Sequence, residues 1–277
     1  MIDYIRELLH TEEDQRKRLL LVREYLQARI LEGLQNSGVF ASWCFLGGTA
    51  LRFLYRLPRF SEDLDFSLVN PVAEAEQDGF NREFGRIIER TITMFSKEGY
   101  LVGSKLHDSG VVNSAFIKFQ GLLFELGVSA HEQEVVSIKI ELDTNPPAGA
   151  ELDTSVIRRH TILNIQHYGK SSLFAGKLHA LLCREHTKGR DLYDTLWYLS
   201  DPEWPMPNSV FLRNALAQTG WNGPEVTEDN WRSLVQNKLS NIDWEEVSAD
   251  VEPFLEKPRE ASLLSEGTFS KLLYSSR

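Results

Sequence analysis

Between Thr11 and Gln35 apolar residues recur at Leu19, Leu20, Val22, Leu26, Ile30, Leu31 and Leu34. This spacing is close to the helical period and predicts one long amphipathic helix, N-capped by Thr11 and stopped at Gly38. Val39 to Leu46 is a β-branched and aromatic run that ends at Gly47-Gly48, the pattern of a buried strand meeting a tight turn. Helical spacing resumes from Thr49 to Tyr55. Ser61 to Leu68 reads as a short loop entering a second strand, with Leu64, Phe66 and Leu68 on one face and Asp65 on the other. The polar stretch from Asn70 to Gly79 then precedes a helix that reaches Lys97.

The period changes after Tyr100. Short alternating segments, Ala115 to Phe119 and Val135 to Leu142 among them, predict a meander or mixed sheet. The turn cluster Asn145-Pro146-Pro147-Ala148-Gly149 closes that region. Beyond Ser171 the pattern is helical, from Leu173 to Arg184 and from Asp191 to Leu199, with further helices after Asn208. No internal repeat or low-complexity tract interrupts the chain.

At 277 residues, with 42% hydrophobic and 25% charged residues, the chain has an ordinary globular composition, which excludes disordered and collagen-like classes. Asp3, Arg6 and Glu7 break the apolar run that a signal peptide needs, and no stretch approaches the roughly 18 apolar residues of a membrane span. Cys44 and Cys183 lie among apolar neighbours in sequence with no CxxC spacing, so neither a zinc site nor a redox pair is expected and a reducing cytoplasm is. The seven histidines form no HExxH pair and no triad, and His179 and His186 read as packing or surface residues.

The net charge of −10 argues against bulk nucleic-acid binding, but it is unevenly placed. From Arg158 to Arg190 seven basic residues face the single acid Glu185, a local +6 that leaves −16 for the remainder. Taken alone, such a window is the solvated face of a helix. Beside catalytic candidates it becomes a strip for an RNA acceptor.

Those candidates begin at Gly47-Gly48-Thr49, where a strand turns into a helix and backbone N–H groups sit at the positive end of the helix dipole, a geometry suited to phosphate. Glycine in a tight turn is the simpler explanation of the pair taken alone. Strand alternation aims Asp63 and Asp65 at one side while Leu64 and Phe66 enter the core. Two adjacent carboxylates on a rigid strand suit Mg²⁺, and without a cation they are solvated acids at an edge. In Ser137 to Asp143, Ile138, Ile140 and Leu142 face one way while Lys139, Glu141 and Asp143 face the other. Glu141 is therefore a third carboxylate candidate, with Asp143 as the alternative, and a plain edge strand gives the same pattern. Lys177, Ala180 and Arg184 share a helical face, as do Asp191 and Asp194 in the next helix.

Taken in order, Gly47-Gly48-Thr49-Ala50-Leu51-Arg52, Arg59-Phe60-Ser61-Glu62-Asp63-Leu64-Asp65-Phe66, Lys139-Ile140-Glu141, Lys177 and Arg190-Asp191-Leu192-Tyr193-Asp194 resemble the AbiEii/AbiGii toxin family of the DNA polymerase β-like nucleotidyltransferase superfamily. The match runs from Phe45 to Leu199. The resemblance implies an α+β fold: a nucleotidyltransferase-type mixed sheet with flanking helices and an N-terminal helix over residues 1–167, then a mainly helical domain over 168–277. It implies a cytoplasmic toxin of a type IV toxin–antitoxin system, acting in phage defence or growth control beside an antitoxin encoded nearby. Its reaction would be NMP transfer from an NTP to the tRNA 3′ end or another RNA.

Carried over residue by residue, Gly47, Gly48 and Thr49 would hold the triphosphate. Asp63, Asp65 and Glu141 would ligate two Mg²⁺, with Mn²⁺ as the alternative ion. Lys177 would contact the triphosphate, Asp191 would fill the acid position of the third motif, and Arg59 and Ser61 would shape the loop under the nucleotide. Two rival readings are nucleotidylation of a protein hydroxyl and a nucleotide-binding regulator with little turnover that acts through its antitoxin.

Overall fold

The long N-terminal pattern does become a helix, but it starts three residues later than its cap signal suggests. In a computed structural model, which describes residues 2–274, the Asp14 side chain accepts the Arg16 N–H and caps helix α2 (Gln15–Asn36). Asp is as good an N-cap as Thr, and it stands directly before the helical run. A short helix α1 (Ile2–Leu9) precedes it. Gly38, at φ +74°, ends the helical stretch as expected. The following run divides into one 3₁₀ turn and strand β1 (Trp43–Leu46).

Two compact units follow from the chain's contacts. The first comprises Met1–Tyr55, Phe60–Pro146 and Thr154–His167. After β1 it contains α3 (Gly47–Tyr55), β2 (Leu64–Leu68), α4 (Gln77–Lys97), β3 (Val102–Ser109), β4 (Val112–Gln120), the short α5 (Leu122–Glu125), β5 (Val135–Asp143) and most of β6 (Leu152–Arg159) and β7 (Thr161–Tyr168). The strands form one mixed sheet in the order β3-β4-β5-β2-β1-β7-β6. β3, β4 and β5 are an antiparallel meander, β5 lies parallel to β2, β2 antiparallel to β1, and β1 parallel to β7. This is the α+β class expected. Arg158 and Arg159, which open the basic window, end strand β6 and do not lie on a helix face; Val156, Thr161, Ile162 and Ile165 around them favour strand, and charge alone carries no period.

Period-2 alternation builds the core. Along β5, Val136, Ile138, Ile140 and Leu142 are buried while Lys139, Glu141 and Asp143 are half-buried. Phe66 of β2 stacks on Phe45 of β1 with ring centroids 5.3 Å apart. Helix α2 is buried on more than its apolar stripe, because Glu24 and Gln27 are also enclosed.

Glu24 is the centre of a buried ion cluster. It pairs with Arg52 of α3, with Arg159 of β6 at 2.8 Å, and with His160 at 3.0 Å. Burial pushes its pKa up, but the His160 hydrogen bond and the Arg52 and Arg159 charges outweigh that and hold it at about 2, below the usual 4.5. A depressed carboxylate stabilises the fold above its unfolded pKa and loses that contribution as pH falls through the folded value. Glu24 is accordingly expected to contribute about 3 kcal/mol at neutral pH. Denaturant titrations should show Glu24→Gln less stable by about that amount at pH 7, with the difference closing between pH 4.5 and 2. A difference that persists at pH 2 would mean that the loss comes from packing and not from charge. Arg159, one member of the basic window, is therefore engaged inside the fold, whereas Arg158 is exposed.

The second unit comprises Arg56–Arg59, Pro147–Asp153 and Tyr168–Arg277. It is helical: α6 (Lys170–Cys183), α7 (Gly189–Ser200), α8 (Ser209–Gln218), α9 (Trp231–Leu239), α10 (Trp244–Val251) and α11 (Glu266–Tyr274). Gly189 opens α7 where a Cβ would overlap the Val247 carbonyl of α10, so only glycine permits that approach. Cys183, read from its neighbours as an apolar-site residue, is exposed, while Cys44 is buried. Among the described residues no helix is long and apolar enough to cross a membrane.

Candidate active site

β2 and β5 run parallel, with Leu64 level with Ile140, Asp65 with Glu141 and Ser67 with Asp143. Because Leu64, Phe66, Ile138, Ile140 and Leu142 turn into the core, alternation leaves Asp65, Lys139 and Glu141 on the other face of the sheet. Lys139 donates to Glu141, Nζ to Oε1 2.7 Å, with both side chains about one-third exposed. The hydrogen bond to Glu141 raises the Lys139 pKa most; burial lowers it, and the charges of Glu141, Asp63 and Asp65 raise it further. Among the described residues, no three Asp, Glu, His or Cys side chains are already gathered around a cation position.

Asp63 stands one residue before β2, and its backbone is held through three consecutive residues. Gln27 of α2 donates to the Ser61 carbonyl at 3.1 Å, Arg23 of α2 pairs with Glu62 at 2.6 Å, and the Thr49 hydroxyl of α3 donates to the Asp63 carbonyl. Thr49 is fully buried, so its hydroxyl serves Asp63, and any contact with phosphate falls to backbone N–H groups at the start of α3. Gly47 has φ +79°, and a Cβ there would overlap the Asp65 carboxylate. Glycine at that position thus lets Asp65 lie against the main chain, a need separate from phosphate binding.

Asp143 has a different environment. Its Oδ1 accepts the Asn145 N–H at 2.9 Å, closing the turn after β5. Burial pushes its pKa up despite that bond.

In the helical unit, Arg59, Lys177, Asp191 and Asp194 form a buried ion network. Arg59 grips Asp194 with two parallel bonds, Nε–Oδ1 and Nη2–Oδ2, each 2.6 Å. Lys177 reaches Asp194 at 2.7 Å and Asp191 at 3.1 Å, and Arg184 also pairs with Asp191. Burial raises the Asp194 pKa, but the Arg59 and Lys177 charges bring it below the usual carboxylate value. Burial lowers the Lys177 pKa, and Asp194 and Asp191 raise it above the usual lysine value.

A family model described as the nucleotidyl transferase AbiEii toxin, type IV toxin–antitoxin system, matches residues 29–266. The chain belongs to the AbiEii family. The matched span begins within α2 and takes in the whole sheet and the helical unit as far as the start of α11. AbiEii membership makes the chain a nucleotidyltransferase toxin of a type IV system, with a nucleotide substrate and a cognate antitoxin. Two solved structures from Helicobacter pylori share the fold. A candidate nucleotidyltransferase matches at 18% identity with a TM-score of 0.53, covering 92% of this chain and 94% of its own. The JHP933 protein matches at 18% identity with a TM-score of 0.50, covering 92% and 91%. No protein of curated function matches the chain.

Two residues of this AbiEii chain gain importance only from the structure. Lys139 is legible as a same-face neighbour of Glu141, but nothing in the sequence signals that its ammonium bonds the Glu141 carboxylate. Asp194 was legible as a partner of Asp191 on one helical face. Its bond to Arg59 crosses 135 residues of sequence and has no local signal.

Proposed function

We propose that the chain transfers a nucleotidyl group from an NTP to an acceptor hydroxyl at Asp63, Asp65 and Glu141, using Mg²⁺, as two ions with Mn²⁺ as the substitute, and with the tRNA 3′ end as acceptor. The observation that carries this reading is the parallel register setting Asp65 level with Glu141, beside an Asp63 whose backbone is tied to α2 and α3. Hard carboxylate oxygens on rigid elements suit a small divalent ion, and a cation, the Lys139 ammonium, already rests against Glu141. When bound, the metal supplies charge neutralisation at the reacting phosphate. The register favours Glu141 over Asp143 as the third ligand, since Asp143 serves the turn. A protein that only bound nucleotide would have no need of carboxylates set level on two paired strands, and this disfavours the regulator reading.

The chain's own contributions are positional. Gly47 and Gly48 would present N–H groups to the phosphates at the N-terminus of α3. Thr49 would fix Asp63, and the Ser61 carbonyl, tied to Gln27, would keep the loop in register. Lys177 is proposed to act on the triphosphate and Asp191 to keep its motif role, as the family pattern implies. Arg59 would contribute by holding Asp194. A toxin acting on NTP and RNA would work in the cytoplasm.

One observation favours nucleotidylation of a protein as the second reading. Arg159, Lys177 and Arg184, three of the seven bases in the +6 window, are engaged with internal carboxylates, which leaves less free charge for RNA phosphates. Incubation with each labelled NTP, Mg²⁺ and cell lysate, followed by nuclease or protease, decides between them. Label lost to nuclease supports RNA, label lost to protease supports protein, and no label with any NTP defeats the transferase assignment at this site.

A further inference from the structure

We propose that Lys139 is a built-in counter-ion of the carboxylate site: its ammonium neutralises Glu141, the carboxylate level with Asp65, in the metal-free protein and has to be displaced before a divalent cation can bind. The inference rests on the metal-dependent reading above and adds to it a control on cation affinity. Lys139 and Glu141 are two residues apart on β5, so the strand itself directs both side chains to one face. The Nζ–Oε1 distance of 2.7 Å engages the carboxylate that stands level with Asp65. Phe116, directly opposite Lys139 on β4, places its ring 5.8 Å from Nζ, which helps to keep the side chain over the site.

The chemistry of lysine suits a removable counter-ion. An ammonium is a compact charge on a flexible stem, whereas a guanidinium would grip the carboxylate with two parallel bonds. A cation approaching Glu141 meets a fixed positive charge in contact with its ligand and must exchange with it. Lys139 thereby weakens the site for metal and protects the free protein from repulsion among its own acids.

The test is calorimetric titration of Mn²⁺ alone, without nucleotide, into the full chain and its Lys139→Met, Lys139→Gln and Lys139→Arg variants. The two neutral variants are expected to bind Mn²⁺ at least about tenfold more tightly than wild type, and the arginine variant within about threefold of it. In metal-free buffer the neutral variants should melt below wild type and gain more from Mn²⁺. Having two neutral variants keeps the comparison open should one fail to fold. Equal or weaker Mn²⁺ binding by the neutral variants would overturn the proposal, as would an arginine variant that binds as tightly as they do. If Asp65→Asn removes Mn²⁺ binding and transfer but the Lys139 variants change nothing, the counter-ion alone is refuted. If no protein binds Mn²⁺ and Asp65→Asn transfers normally, the metal-dependent reading fails and the counter-ion fails with it.

Discussion

Asp65→Asn is expected to lower nucleotidyl transfer by at least about a thousandfold, roughly 4 kcal/mol of transition-state stabilisation, while changing the melting temperature little. The amide keeps the shape of the carboxylate and its place against Gly47, but it offers a metal one neutral oxygen where two charged ones stood. Folding should tolerate the change because Asp65 is half-buried and the Lys139 ammonium retains Glu141. Asp63→Asn should behave alike, since its backbone is held independently of its side chain. Glu141→Gln should follow them, whereas Asp143→Asn should retain most activity because its carboxylate serves the Asn145 turn. Single-turnover assays at saturating NTP and cation, with circular dichroism melts on the same preparations, measure both quantities. Full activity in Asp65→Asn would remove the carboxylates from the chemistry. Asp143→Asn being worse than Glu141→Gln would exchange the third ligand.

The part of this site legible in sequence is the part governed by period. Leu64-Asp65-Phe66 and Ile138 to Leu142 alternate cleanly, so their buried and open faces follow from the sequence, and Gly47-Gly48 mark the point where β1 gives way to α3. What sequence conceals is pairing. Nothing local says that β2 lies beside β5, or that it does so with Asp65 level with Glu141, yet that register is what brings the two acidic strands together. The same holds for Thr49, whose hydroxyl bonds the Asp63 carbonyl 14 residues along the chain. In the basic window the difficulty was one of sign and partner. Arg159 and Arg184 count as free positive charge in a sum over sequence, whereas in the fold they neutralise Glu24 and Asp191. Helix α2 showed its existence but not its start, because Thr11 and Asp14 are both competent caps and only tertiary contacts choose between them.

Asp194→Asn should destabilise the protein by about 3–5 kcal/mol, the range for removing one member of a buried ion network. Asp194 has no exposed surface and receives both Arg59 bonds as well as Lys177. Asparagine would leave Arg59, itself 2% exposed, without its charged partner, and Lys177 would share Asp191 with Arg184. The pH signs agree with this picture. Asp194 titrates below its usual value, so its contribution is present above that value and is lost as pH falls. Lys177 titrates above its usual value, so its contribution holds below that value and is lost as pH rises through the folded pKa. Replacing the pair together, Arg59→Met with Asp194→Leu, should recover much of the stability, because apolar packing often substitutes for a buried ion pair at little net cost. Activity separates architecture from chemistry here. If the double variant regains its melting temperature and transfers nucleotide normally, the Arg59–Asp194 pair only supports the fold around Lys177 and Asp191. If it regains stability and stays inactive, or if Asp194→Asn melts with wild type yet fails to transfer, the buried pair is needed to aim Lys177 and belongs to the catalytic apparatus.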